Sequence, residues 1–346
     1  MQTVQNFDER ALAEAVGCLF ISQGYPLVFS RAPKPGIEGT DELGVPVPEG
    51  GQWRQVDVFG CRWKSDGPAE TVAVECKRAS TVRDSVNAAL GQATDYQLYF
   101  HRVYVATETG PLVDRANVLV ALTLGHIEVE TDRQARFNSQ IDPTYNPRFD
   151  DHRHSRYVKP RASLGLAFQE VFSDASRAPL RYGDVRAGGI WLAKAVIDNL
   201  NLQWNCWFDP ADEGVACGIN VEHKDDIRRI LRGLNASALS RALRQLTVGC
   251  QIRVGKHQLP RRRGDPGRVI LPRQDARKVA TDDLRAALSS PLADPNWGPH
   301  LNLYTRPWNT AETLQRCEYA DRLRQVRQTL DPVMNVLAES YGSSGP

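Results

Sequence analysis

The chain has 346 residues, of which 41% are hydrophobic and 24% charged, and its net charge is +2. That balance belongs to a globular protein of about two domains, not to a disordered chain, and no apolar run is long enough to span a bilayer. Seven cysteines, an odd number with no C-x-x-C pair, argue against a disulfide scaffold or a zinc ribbon; with no secretory leader pattern at the N-terminus, the expectation is a cytoplasmic protein with reduced thiols and no membrane partner.

Asn6 to Gln23 has helical spacing, with Leu12, Val16, Leu19 and Phe20 on one stripe, Asn6 or Asp8 as cap and Gly24-Tyr25-Pro26 as stop. Glu9 is expected on the solvent side of this helix, and Glu14, nearer the stripe, is expected to point inward. Leu27–Arg31 follows as a strand. Residues 32–51, broken by Pro33, Pro35, Pro46 and Pro48, read as a long loop without elements of its own. Gln55–Trp63 alternates as a strand, Ser65-Asp66-Gly67-Pro68 turns, and Thr71–Arg78 returns, which predicts an antiparallel hairpin. Val82–Phe100 (helix), His101–Thr107 (strand), Leu112–Leu124 (helix) and His126–Glu130 (strand) complete an α-β-β-β-α-β-α-β order over residues 1–132. Helices on both faces of such a sheet make an α/β sandwich.

Residues 133–160 are polar and carry Pro143, Pro147 and Pro160, and read as a linker in which His152 and His154 are expected to be solvated. Beyond it, residues 161–346 read as a basic α+β domain. Gly189–Leu200 is expected as a helix, Leu202–Phe208 and Gly214–Val221 as strands, and Lys224–Arg232 and Ser237–Gln245 as two short basic helices. Gln251–Val254 and Arg268–Leu271 are expected as strands around a basic turn, and Thr281–Leu288 and Ala311–Leu337 as helices, the last broken near Pro332.

Charge is unevenly placed. Residues 1–132 hold 11 Lys and Arg against 18 Asp and Glu, net −7, whereas residues 226–278 hold 14 against 3, net +11. Such a concentration points to a polyanion. Arg228, Arg229 and Arg232 on the first basic helix, Arg241 and Arg244 on the second, and Arg261, Arg262 and Arg263 in the turn are the candidate nucleic-acid contacts. Two helices followed by a strand–turn–strand would suit a winged helix-turn-helix.

The hairpin carries the chemistry. Glu75 and Lys77, two apart, share a face of their strand, while Val72, Val74 and Cys76 face the other way. Asp57, 18 positions earlier, lies on the neighbouring strand. Two carboxylates and the Cys76 carbonyl offer hard oxygens to Mg²⁺, or to Mn²⁺ in its place, and Lys77 can orient a water or offset phosphate charge. With Gln92-Ala93-Thr94-Asp95-Tyr96 on the next helix, these residues resemble the PD-(D/E)xK nuclease superfamily, with its restriction-endonuclease-like fold. Gln92 and Tyr96 match the Q-x-x-x-Y signature of its RecB-like and Cas4-like branches. Glu14 stands where the Mrr-like and Holliday-junction-resolvase-like branch places a first-helix glutamate that assists metal binding. Val56 departs from the motif's proline. The resemblance covers residues 6–132 and implies metal-dependent hydrolysis of DNA, with Asp57, Glu75, Lys77, Gln92, Glu14 and Tyr96 as catalytic residues and Asp57, Glu75 and Cys76 around the metal. By analogy it suggests a restriction or anti-phage setting, a homodimer for double-strand cleavage, and a protein partner in a defence complex. The alternative is a non-catalytic nucleic-acid-binding or regulatory protein on the same scaffold; the complete Asp57/Glu75/Lys77 set argues against it.

Overall fold

A computed structural model of the chain describes residues 8–32, 38–39, 44–46, 53–64, 69–78, 83–108, 116–130, 132–141, 143, 155–175, 180–185, 189–196, 202–209, 214–221, 224–255, 269–293, 300–305, 308–309 and 316–342. Asp8 starts the first helix, α1 (Glu9–Ser22), by accepting the Ala11 N–H at 2.7 Å, which satisfies one of the donors every helix N-terminus leaves open. Gly24 ends the turn after it at φ 77°, a conformation that costs glycine nothing.

The chain then enters β1 (Leu27–Ser30), β2 (Glu38–Gly39), β3 (Gly44–Pro46), β4 (Trp53–Gln55), β5 (Val58–Trp63) and β6 (Ala69–Cys76). After α2 (Arg83–Tyr96) come β7 (Arg102–Glu108), α3 (Ala116–Ala121), β8 (Gly125–Val129) and β9 (Ala135–Phe137). The first sheet has seven strands in the order β2-β1-β5-β6-β7-β8-β9. β5 pairs antiparallel with both β1 and β6, and β6, β7 and β8 run parallel, with α2 and α3 on the crossovers. The long elements follow the expected α-β-β-β-α-β-α-β order. The segment read as a featureless loop differs: it contributes β2 to the sheet edge and pairs β3 with β4.

Every residue of β6 is buried, as a central strand covered on both faces requires. Val72, Val74 and Cys76 pack with Leu12, Val16 and Phe20 of α1. Ala69 and Ala73 face the other way, into a cluster with Ala89, Ala93 and Tyr96 of α2 and Leu164 and Phe168 of α4 (Ser155–Phe172). Both β9 and the start of α4 fall inside the 133–160 span read as a linker.

The second sheet is antiparallel throughout its described pairings. It contains β10 (Leu180–Val185), β11 (Gly189–Ala195), β12 (Leu202–Asp209), β13 (Gly214–Val221), β14 (Cys250–Gly255), β15 (Val269–Asp275), β16 (His300–Thr305) and β17 (Trp308–Asn309). They run in the order β10-β11-β12-β13-β16-β14-β15, with β17 on β13. Helices α5 (Lys224–Gly233), α6 (Ala236–Arg244), α7 (Thr281–Ala293) and α8 (Arg316–Gly342) accompany it. α8 packs against α4, α5, α6 and β13.

Two expectations fail here. Gly189–Leu200 is not a helix: Gly189–Ala195 is β11, paired on both sides. A short apolar run does not by its spacing tell a buried strand from a helix, and the two flanking strands decide it. Pro332 does not break α8, because the helix is held along its length by its neighbours and Pro332 itself lies on the exposed side. The two strands expected around the basic turn are β14 and β15, paired antiparallel, and β14 also pairs β16 on its other side; the turn itself lies outside the described residues. No helix among the described residues is long and apolar enough to cross a membrane.

Candidate active site

The β5–β6 register pairs Val58 with Val74, so the next residues along, Asp57 and Glu75, face each other across the strand ends. Both are only 2% exposed. Asp57 uses both oxygens: Oδ2 accepts the Cys76 N–H at 2.7 Å, and Oδ1 lies 2.6 Å from Nη1 of Arg31. Glu75 Oε1 lies 3.2 Å from Lys77 Nζ, and Oε2 lies 2.9 Å from the Tyr96 hydroxyl, which is also 2.8 Å from the Gln55 carbonyl. Lys77 Nζ reaches a second acid, Glu9, at 3.3 Å.

Two carboxyls taken out of water side by side resist ionising together. Burial raises the Glu75 carboxyl to about 7, with the neighbouring Asp57 charge adding to the rise and Lys77 and Tyr96 opposing it. Asp57 is also raised by burial, against the hydrogen bonds from Arg31 and Cys76. Lys77 is raised: its partial burial works against the ammonium, but Glu75 and Glu9 outweigh that. The Cys76 thiol, buried among the apolar side chains under α1, is pushed well up and is no nucleophile at neutral pH.

Of the sequence-derived set, Asp57, Glu75, Lys77, Tyr96 and the Cys76 main chain meet at one point. Gln92 lies one turn before Tyr96 on α2, and its buried Oε1 has no hydrogen-bond partner among the described residues. Glu14 is half-buried on α1; the α1 acid that reaches Lys77 is Glu9, the residue expected to face solvent. The long Glu9 side chain sits in the first turn, at the level of the strand ends, where inward stripe position matters less than height along the helix.

Sequence reasoning missed Arg31 altogether. The one signal for it is positional: β1 pairs Ser30 with Val58, which sets the following residue, Arg31, opposite Asp57.

Asp57 and Glu75 are the pair able to hold a divalent cation. No group of three or more His, Cys, Asp and Glu side chains gathers into a ligand set among the described residues. Two carboxylates and a main-chain carbonyl suit a hard cation that keeps most of its shell as water and phosphate oxygen. An all-oxygen set suits zinc less well, since zinc sites are built mostly from histidine nitrogen and cysteine sulfur.

The basic residues of the second sheet's helices divide by role. Arg229 Nη1 donates to the Tyr341 hydroxyl at 2.8 Å and its guanidinium lies over that ring, so it braces α5 against α8. Arg244 reaches Thr281 at 3.4 Å, and Arg228 is half-buried. Arg232 and Arg241 are exposed. Arg261, Arg262 and Arg263 lie outside the described residues. α5 and α6 each pack on α7 and α8. Comparison of the chain with family models, curated proteins and solved structures finds no match.

Proposed function

We propose that this chain is a metal-dependent DNA endonuclease of the PD-(D/E)xK kind, with Asp57, Glu75 and Lys77 as its catalytic core. The observation that carries the reading is the pairing of two buried carboxyls, Asp57 and Glu75, across adjacent strand ends, with Lys77 Nζ 3.2 Å from Glu75. A buried acid pair with a lysine costs stability, and titratable groups perturbed by burial and by a charged neighbour cluster at functional sites. The order of helices and strands around the hairpin supports a restriction-endonuclease-like core.

In this reading Asp57, Glu75 and the Cys76 carbonyl hold Mg²⁺ or Mn²⁺, which supplies phosphate neutralisation and a water of lowered pKa. Glu75, ionised, would be one of the two carboxylate ligands and is kept in place by Tyr96. Lys77 stands beside Glu75 with its ammonium available to the attacking water or to the charge that builds on the phosphate. Gln92, whose buried Oε1 has no other partner among the described residues, can accept a hydrogen bond from that water. The acidic balance of residues 1–132 gives little affinity for a polyanion, so Arg232, Arg241 and the basic stretch around them would supply the grip on DNA.

Purified protein incubated with supercoiled, linear and single-stranded DNA and with RNA, in Mg²⁺, Mn²⁺ and EDTA, tests this. Cleavage is expected with either metal and is lost in EDTA and in Lys77→Ala. Cleavage that survives EDTA or Lys77→Ala overturns the site; none with any substrate favours the non-catalytic, nucleic-acid-binding alternative.

A further inference from the structure

One charged group at the site has no part in the nuclease reading: the guanidinium of Arg31. Its placement is specific. The Arg31 N–H donates to the Asp57 carbonyl at 3.0 Å, so the two main chains are tied, and Nη1 returns to Oδ1 of the same residue at 2.6 Å. Among the described residues, three carboxyls (Glu9, Asp57, Glu75) and two cations (Arg31, Lys77) make up the cluster. The cations are not equivalent. Lys77 is gripped by two acids and is 18% exposed, whereas Arg31 holds one and is 43% exposed.

Asp57 has two oxygens and both are in use. Oδ2 holds the Cys76 N–H, a main-chain group that cannot leave without breaking the strand end. A divalent cation seeking Asp57 therefore meets Oδ1, where it faces a like charge at close range. The half-exposed guanidinium can swing into water at small cost, and its main-chain tie keeps it within side-chain reach of the site after it leaves. A planar guanidinium released beside a metal-bound phosphodiester is suited to that phosphate's free oxygens.

We propose that Arg31 is an exchangeable counter-cation: it neutralises Asp57 in the resting site, yields Oδ1 to the divalent metal, and then contacts a phosphate oxygen of the polyanionic substrate. The first step rests on the ion pair alone; the last rests on the nuclease reading.

Calorimetric titration of the full chain with Mn²⁺, in wild type, Arg31→Gln, Arg31→Ala and Arg31→Lys, tests the exchange. Arg31→Gln keeps a donor for Oδ1 without the charge, and thermal melting establishes that each variant is folded. The Gln and Ala variants are expected to bind Mn²⁺ about tenfold or more tightly than wild type, since a charge-assisted bond no longer has to be broken. The Lys variant stays near wild type, and the metal-free Gln and Ala variants melt lower, with the gap closing as Mn²⁺ saturates. Equal or weaker Mn²⁺ binding in folded Arg31→Gln, or no binding to any of the four, overturns the exchange.

For the last step, a phosphodiester oligonucleotide is titrated into Lys77→Ala with and without the Arg31→Gln change. A several-fold loss of affinity seen only with Mn²⁺ present is expected; the same loss without metal overturns the handover. Tighter Mn²⁺ binding in Arg31→Gln with no strand cleavage by wild type would sink the nuclease reading and leave the counter-cation standing. Cleavage with unchanged Mn²⁺ affinity would do the reverse.

Discussion

The Tyr96 hydroxyl stands 2.9 Å from Glu75 and 2.8 Å from the Gln55 carbonyl, one proton between two acceptors. Toward ionised Glu75 the hydroxyl donates a charge-assisted hydrogen bond, stronger than the one it makes to the Gln55 carbonyl. Tyr96→Phe is expected to lower unfolding stability by about 1–2 kcal/mol in urea. It should also raise the Glu75 pKa further, because the hydrogen bond that favours the carboxylate is gone. Titration of the Glu75 carboxyl by NMR checks this; a value that stays put in Tyr96→Phe breaks the link between the two residues.

Glu75 also sets a pH dependence with a definite sign. Its folded value of about 7 lies above the ordinary 4.5, so between these the folded chain holds a proton that the unfolded chain has lost. The stabilisation is full below about pH 4.5 and fades as pH rises through about 7. Glu75→Gln should remove that decline, and the difference between the two proteins' urea midpoints across pH 4.5 to 8 isolates it from other groups. His126, whose pKa burial lowers, runs the opposite way. Divalent cations need the ionised form, so Mn²⁺ affinity should climb with pH and level off above about 7. A flat affinity profile would remove Glu75 from the ligand set.

Asp57 has a structural duty separate from any chemistry. Asp57→Ala strands the buried Cys76 N–H and is expected to cost about 2 kcal/mol, most of it from that unmet donor, since the half-exposed Arg31 can turn to water. Asp57→Asn keeps an acceptor and should cost less while still weakening Mn²⁺ binding. Equal losses in the two variants would show that the N–H is not the main term.

Gly218 sits in the middle of the second sheet, opposite Asn205 on β12 and Tyr304 on β16. A Cβ there would run into the Leu303 carbonyl of the adjacent strand. Main chain cannot give way as a side-chain tip can, so Gly218→Ala is expected to cost about 3 kcal/mol or more. A thermal shift within a degree or two of wild type would mean that the strands separate easily at that point.

If the basic stretch grips DNA, Arg232→Ala with Arg241→Ala should weaken binding across sequences alike and flatten its dependence on salt, with each lost phosphate contact reducing the slope by about one. Arg229→Ala should act first on stability, through Tyr341, and not on the salt slope. The same salt slope in the double variant and in wild type would take those two helices out of the interface.

The hairpin and its acid pair were legible because strand parity is strict: residues two apart share a face, and the antiparallel β5–β6 register fixes which acid meets which. Lys77 followed from the same rule. Arg31 was not legible, because its position depends on β1 pairing with β5 across more than 20 intervening residues, and nothing local encodes that. Glu9 was misjudged for a related reason. Helical spacing tells which side of α1 faces the sheet, but not that its first turn stands level with the site. In the second half, strands buried on both faces lose the polar alternation that identifies them, which hid β11; β10 and β16 were overlooked outright. Pairing with distant neighbours, not local preference, made them strands.

The helix α4 touches β1, β5 and β6 on one side and β11, β12 and α8 on the other. Its Phe168 and Phe172 belong to a single apolar cluster that includes Tyr96 and Phe59 near the acid pair and Trp204 and Leu323 beyond it. The sheet that carries the acid pair and the second sheet thus lean on a common wall. Cutting the chain before α4 would strip the hairpin of part of its backing, and cutting after it would bare the second sheet's core. A load placed on α8 or the second sheet has a solid path to the strands that carry Asp57 and Glu75. In the nuclease reading, holding DNA at one end and cutting it at the other would then be mechanically one event.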